Sequence, residues 1–489
     1  LSLLPARPRL AHLALAAASL ALVAGSAAGA AAAQRPATSA AALTRLSTDP
    51  YANSGAEHAT EVEPDIYAHG STIVAVFQTG RFSGGGSDDT GWATSTDGGA
   101  TWQHGFLPGI TTHQNGGVWQ RVSDPAVAYD PKLGVWLASG LTLSSPANAF
   151  GVSISRSTDG LTWAKPVMAA NSGGAGFDKE WVTCDTTPAS PHYGNCYLEW
   201  DNTSNGDQVL MSTSTNGGAT WSAPSSPADQ PLGLAGQPLV QPSGTVVVPF
   251  YTNGGAIRSF TSTNGGASWN ASVPVATTQV HADGGGIRSS ALPSAQEDGA
   301  GKVFVAWQDC RFRAGCSGND IVYSTSSSGS KWSAVQRVPI DPVTSTADHF
   351  IPGFGVDPAT SGSSAHIGLY YYFYPQAKCS FSTCKLEAGF ISSADGGSTW
   401  SAPTALAGMS LNHVAQAGGA FVGDYIGSAF AAGKAYSSFA VGVTPASGQK
   451  YDEGMYTFGG LAARGGQVAN TAKPVSSSAP ARPGIVSRH

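Results

Sequence analysis

Charge is scarce in this chain. Asp, Glu, Lys and Arg make up 11% of its 489 residues, and the net charge is −6. With so little charge and no basic run, a nucleic-acid partner is excluded. Long apolar runs are lacking too. The one candidate, Leu10 to Val23, is too short and too Ala-rich to favour a membrane span. It follows Arg7 and Arg9 and precedes Ala31-Ala32-Ala33. That order, a basic start, an apolar stretch and small residues at a cut, reads as an export signal over residues 1–33. The mature chain then carries no span and is expected to be secreted and monomeric. Residues 34–43 read as a disordered linker, and the Ala/Pro/Ser/Gly-rich stretch 462–489 as a disordered tail. The abundant residue is glycine, 62 in all, which suits an all-β protein built on turns. The length is ample for a large core.

One phrase recurs. Ser95-Thr96-Asp97-Gly98-Gly99-Ala100-Thr101-Trp102 returns at Ser214 to Trp221, Ser262 to Trp269 and Ser393 to Trp400, and in worn form at Ser157 to Trp163 and Thr325 to Trp332. Asp-Gly and Asn-Gly favour tight hairpins because these residues tolerate positive φ. The Ser and Asp side chains can bond turn amides. The Trp is expected to start the next strand and pin the turn to the apolar layer. Each copy therefore reads as a folding staple, and the copies lie roughly 50–70 residues apart, a spacing suited to propeller blades with variable loops.

The phrase is similar to the Asp box, S-x-D-x-G-x-x-W, of sialidase-like propellers. The resemblance covers residues 95–400 and implies a β-propeller of four-stranded antiparallel blades over 44–461. Seven blades are favoured over the six usual in sialidases. The last unit, around Phe421 to Phe458, lacks a fourth strand that Leu43 to Thr48 would supply, closing the ring. The six cysteines fall into local pairs, Cys184 with Cys196, Cys310 with Cys316 and Cys379 with Cys384. Fifteen connectivities are open to six cysteines, and propeller topology favours these three, in an oxidising compartment. A zinc site competes, but no His sits at ligand spacing beside them.

In such a fold the starts of the inner strands line a channel. Here they carry Glu63, Arg121, Asp124, Asp178, Lys179, Glu180, Arg288, His349, Asp424 and Tyr425. These form either a self-neutralising channel or a site for a polar ligand such as a glycan. The sialidase resemblance implies Tyr425 as nucleophile, Glu180 as the group that takes its proton, and Asp88 or Asp89 as acid/base. It implies Arg121 and Arg288 as members of an arginine cluster on a carboxylate. Asp124, Lys179, His349, Asp424 and Glu63 complete the expected substrate contacts. One departure stands out: Glu63-Pro64 occupies the place of the family's Arg-Ile-Pro. Arg81 is near in sequence but on a different segment. Two readings follow, an exo-acting sialidase-type hydrolase and a non-catalytic propeller that binds glycan or protein. No cofactor is called for, and a structural calcium is compatible with either.

Overall fold

The computed structural model describes residues 43–475 apart from 115, 146–147, 175 and 470. Residues 1–33, read above as an export signal, residues 34–42 and the stretch 476–489 lie outside the described residues. What is described is all-β, with helix limited to 3₁₀ turns of three residues each.

Strands follow one another in antiparallel sets. The first runs Glu57–His69, Thr72–Arg81, Ser87–Ser95 and Gln103–Phe106. Later sets are built on the pairs Val135–Ser145 with Asn148–Ser157, Cys196–Asn202 with Gln208–Ser214, and Val246–Thr252 with Ala256–Ser262. Val303–Asp309 with Asp320–Ser326 and Ile367–Tyr374 with Lys385–Ser393 continue the series. The last set, Gly427–Ala431, Lys434–Gly442 and Glu453–Phe458, takes a strand from the start of the chain. Leu43–Arg45 pairs antiparallel with Glu453–Phe458, Leu43 opposite Phe458.

The strands form where β-branched and aromatic residues run between turns. Val246–Thr252 reads VVVPFYT, and Val246, Val247, Val248, Phe250 and Tyr251 are all buried, so both faces of the strand are covered. Its Pro249 lacks an N–H. Opposite it the neighbouring strand is broken into Gly233–Leu234 and Leu239–Val240.

The recurring phrase folds as a turn, and its polar residues do the work expected of them. Asp97 Oδ1 accepts the Ser95 hydroxyl at 2.8 Å and the N–H groups of Ala100 and Thr101 at 3.0 and 2.9 Å. The Ser95 hydroxyl oxygen in turn accepts the Gly99 N–H at 2.8 Å. The turns also reach outward, each to the set before it. Thr94 Oγ1 donates to Gly160 O at 2.6 Å, Arg156 Nε to Gly217 O at 2.6 Å and Asn195 Nδ2 to Gly265 O at 3.5 Å. Ser259 Oγ donates to Gly329 O at 2.8 Å and the Tyr323 hydroxyl to Gly397 O at 3.3 Å. For the first turn the donor lies in the last set: the Tyr436 hydroxyl bonds Gly98 O at 2.7 Å. Gly99 must be glycine, since its φ is +83° and a Cβ would lie 2.4 Å from the Tyr436 ring. The Trp does not start the next strand as expected: Trp400 ends the short strand Thr399–Trp400, pairing with Val468, Trp102 precedes the strand Gln103–Phe106, and Trp221, Trp269 and Trp332 lie outside strands.

That pairing corrects the reading of the tail. Leu461–Ala462 pairs with Lys434 and Ala435, Val468–Ala469 pairs with Thr399–Trp400, and the Val475 N–H donates to Arg311 O at 3.0 Å. The composition is that of a disordered segment, but over its described residues backbone groups find partners on strands of the last two sets and, at Val475, on the loop after Val303–Asp309. The three disulfides are Cys184–Cys196, Cys310–Cys316 and Cys379–Cys384.

A second irregularity repeats. Glu63, Asp124, Lys179 and Ile351 all have positive φ, between 48° and 52°. Register breaks at Val62/Asp65, Asp178/Trp181 and Phe350/Gly353, and Asp124 falls between the strands Arg121–Ser123 and Val127–Asp130. These are bulges, which re-aim side chains at the cost of ladder bonds. Pro64, Pro125 and Pro352 follow three of them, in places where no ladder N–H is required.

Candidate functional site

The bulges bring distant residues to one point. Lys179 Nζ lies 2.7 Å from Asp424 Oδ2, 3.3 Å from Glu63 Oε1 and 3.4 Å from Asp124 Oδ1. Arg288 forks onto the same Asp424, its Nε 3.0 Å from Oδ1 and its second nitrogen on Oδ2. Gln78 donates to Glu63 and to the Ser123 hydroxyl, the latter at 3.1 Å. The Arg81 and Arg288 guanidiniums lie over the Phe421 ring at 5.1 and 4.7 Å. Arg81 thus joins the cluster from the second strand of the first set, and Gln78 enters from that same strand. Sequence reading assigned neither, because it looked for the site on inner strands. All these groups are buried, so the cluster is self-neutralising without being solvated.

Burial lowers the Lys179 pKa, but Asp124, Asp424 and Glu63 outweigh it and hold the ammonium well above its ordinary range. Glu63 is raised, by burial first and by Asp124, against the pull of Lys179. Glu180 is raised by burial and Asp124, and neither of its carboxylate oxygens has a hydrogen-bond partner.

Tyr425 stands at the edge of this group. It precedes the strand Gly427–Ala431 instead of opening it. Its ring meets Trp181 edge-on at 5.2 Å and lies 6.0 Å from Lys179 Nζ. Its hydroxyl donates to the Pro125 carbonyl at 3.5 Å, and among the described residues no carboxylate bonds it. Burial, then Glu63, Asp124 and Glu180, push the phenol well above its usual pKa. Trp181 also lines a cavity of about 130 Å³. Inner-strand residues from every set meet there, among them Asp65, Val127, Leu239, Glu297, Val356 and Ser428.

Asp88, Asp89 and Arg121 form a neighbouring group, in which both carboxyls are buried and Arg121 is partly exposed. Asp88 accepts Asn53 Nδ2 at 2.7 Å and faces His113 Nε2 at 3.4 Å. Burial raises its pKa to about 7. Asp89 is buried and capped by the Tyr51 hydroxyl at 3.0 Å and the Thr90 N–H at 2.9 Å. Arg121 stacks 3.9 Å over Phe82 and donates to Gly85 O at 2.8 Å. His349 sits elsewhere, buried with Asp341 at 3.8 Å and Arg313 at 3.4 Å. Burial lowers its pKa first, against Asp341.

Several other carboxyls are raised. Burial brings Asp65 to about 7, and Glu61 and Glu297 to about 8. Their unfolded counterparts ionise near 4. Between those values the folded protein holds more protons, so stability falls as pH rises. The melting temperature is therefore expected to drop from pH 5 to pH 8 in a buffer series; a rise across that window would contradict these environments.

No protein-family model matches the chain, and no curated protein matches it. Solved structures similar to it include a polysaccharide lyase of the ulvan lyase type (12% identity, TM-score 0.48, covering 86% of this chain and 97% of that one). A Hadza microbial sialidase, Hz136, is similar at 14% identity and TM-score 0.45, covering 79% of this chain and 76% of its own. The intramolecular trans-sialidase of Ruminococcus gnavus is similar at 14% identity and TM-score 0.41, covering 83% and 95%.

Proposed function

We propose that this chain is a secreted, seven-bladed Asp-box propeller that binds a sugar-type ligand at the mouth of its channel without a tyrosyl intermediate. The order of contacts supports the ring: turn bonds join the first six sets one to the next and the last set to the first, and the Tyr370 and Tyr372 hydroxyls join the sixth set to the seventh at Ala435 O and Ala440 O. The disulfides support an oxidising destination.

One observation carries the non-catalytic reading. The Tyr425 hydroxyl has a carbonyl for a partner, at 3.5 Å, and no base. A phenol needs a general base within hydrogen-bond reach to attack a sugar. The nearby carboxylates of Glu63, Asp124 and Asp424 are engaged by Lys179 and Arg288 instead. Ligand contact then falls to the partly exposed side chains around the buried Asp88: Arg121, Asn53, His113 and Tyr51. Labelled protein is expected to bind a subset of immobilised glycans, and Arg121→Ala to lose that binding with its melting temperature unchanged. Absence of binding to every sugar on the surface would contradict the reading.

The hydrolase reading retains one support. The buried Glu180 carboxyl, without partners, lies within electrostatic reach of Tyr425, and orphaned buried carboxyls cluster at functional sites.

A further inference from the structure

Two other groups of His and Asp side chains come close enough to share an ion: His281, Asp283 and Asp348, and Asp320, Asp341 and His349. In each, one donor atom per residue lies within 4.8 Å of the others. The second group is already neutralised. Arg313 and Arg337 lie 2.6 to 2.8 Å from Asp320 and Asp341. In the first, no Lys or Arg pairs with Asp283 or Asp348 among the described residues.

The first group is built as a site. His281 Nδ1 lies 2.9 Å from Asp348 Oδ2. Asn319 fixes all three residues: its side chain accepts the His281 N–H at 2.8 Å and donates to Asp283 Oδ1 at 2.9 Å, and its own N–H donates to Asp348 Oδ1 at 2.6 Å. Gln308 Nε2 and the Ser289 hydroxyl hold the other Asp283 oxygen, the former at 3.1 Å. Such outer contacts orient ligands.

An independent observation comes from the next strand. Tyr374 is opposite Asp348 in the register of Asp348–Val356 with Ile367–Tyr374, so the two side chains share a face. The tyrosine is fully buried, its hydroxyl has no hydrogen-bond partner among the described residues, and it lies within electrostatic reach of both Asp283 and Asp348. A buried phenol without a partner, on the face that carries two carboxylates and an imidazole, lacks the ligand that would satisfy it.

We infer that His281, Asp283 and Asp348, with Tyr374 behind them, bind one divalent transition cation of the zinc class. An imidazole and two carboxylates suit such an ion, whereas calcium and magnesium take oxygen ligands. The cation also ties down the loop that leads to Arg288, whose Ser289 neighbour bonds Asp283.

The test uses the full chain, stripped with EDTA and dialysed, then titrated calorimetrically with ZnCl₂ and separately with CaCl₂. One equivalent of Zn²⁺ is expected per chain, with a higher melting temperature. His281 is partly exposed, so His281→Gln should fold as wild type, as near-UV circular dichroism would verify, and bind Zn²⁺ about 100-fold more weakly. Asp283→Asn should weaken binding similarly. The inference is overturned if the wild type takes up no equivalent of Zn²⁺, if both variants bind as wild type does, or if Ca²⁺ binds more tightly.

Discussion

Lys179→Met is expected to destabilise the protein by about 3–5 kcal/mol, the cost of leaving buried charge uncompensated. Met keeps the length and apolar stem of Lys but removes the ammonium that three chain-distant carboxylates share. Glu63, Asp124 and Asp424 are 0 to 5% exposed, so water does not take its place. The three carboxylates would respond by taking up protons, and the loss should therefore be larger at pH 8 than at pH 5. Denaturant unfolding of wild type and variant at both pH values measures it. A loss under about 1 kcal/mol at pH 8, the scale of an exposed pair, would mean that the bulges do not bring these groups together.

Trp400→Ala is expected to cost about 3–5 kcal/mol as well, for a different reason. The ring is fully buried, packs against Tyr323 at 6.1 Å and donates its Nε1–H to Gly397 O at 3.1 Å. Truncation leaves a cavity between two strand sets and removes one of the two donors to the Gly397 carbonyl, the Tyr323 hydroxyl remaining. Trp221 serves as the contrast. It makes the equivalent bond to Gly218 O at 3.2 Å but is only partly buried, so Trp221→Ala should cost clearly less. Equal losses at the two positions would show that ring burial does not set the energy of these turns.

The turns were legible in the sequence because their chemistry is local: Ser, Asp or Asn and Gly within five residues make their own bonds. The docking of each turn on the preceding set was not, since the donors are a Thr, an Arg, an Asn, a Ser and two Tyr with no common motif. The central cluster was half legible. In a chain so poor in charge, Glu63, Asp124, Lys179, Arg288 and Asp424 drew notice, and the structure gathers those five. His349 and Arg121 looked the same in sequence but belong to other groups, because strand position does not reveal which way a bulge turns a side chain. Arg81 was set aside as lying on another segment. It reaches the cluster because Gly80, with φ +70°, turns the strand end where Asp88 lies so close that a Cβ would meet its Oδ2 at 2.5 Å. The described stretch 462–475 misled by composition, since the partners of Ala462, Val468, Ala469 and Val475 are found through backbone bonds, which composition does not encode.

Turnover of a fluorogenic sialoside by purified protein, with Tyr425→Phe alongside, tests the central claim most directly. If Tyr425 is a packed ring whose hydroxyl only bonds Pro125, wild type and variant should both release no fluorophore above buffer, and the variant should unfold within about 1.5 kcal/mol of wild type. Steady release by the wild type that falls by orders of magnitude in Tyr425→Phe would contradict the account and assign the phenol as a nucleophile.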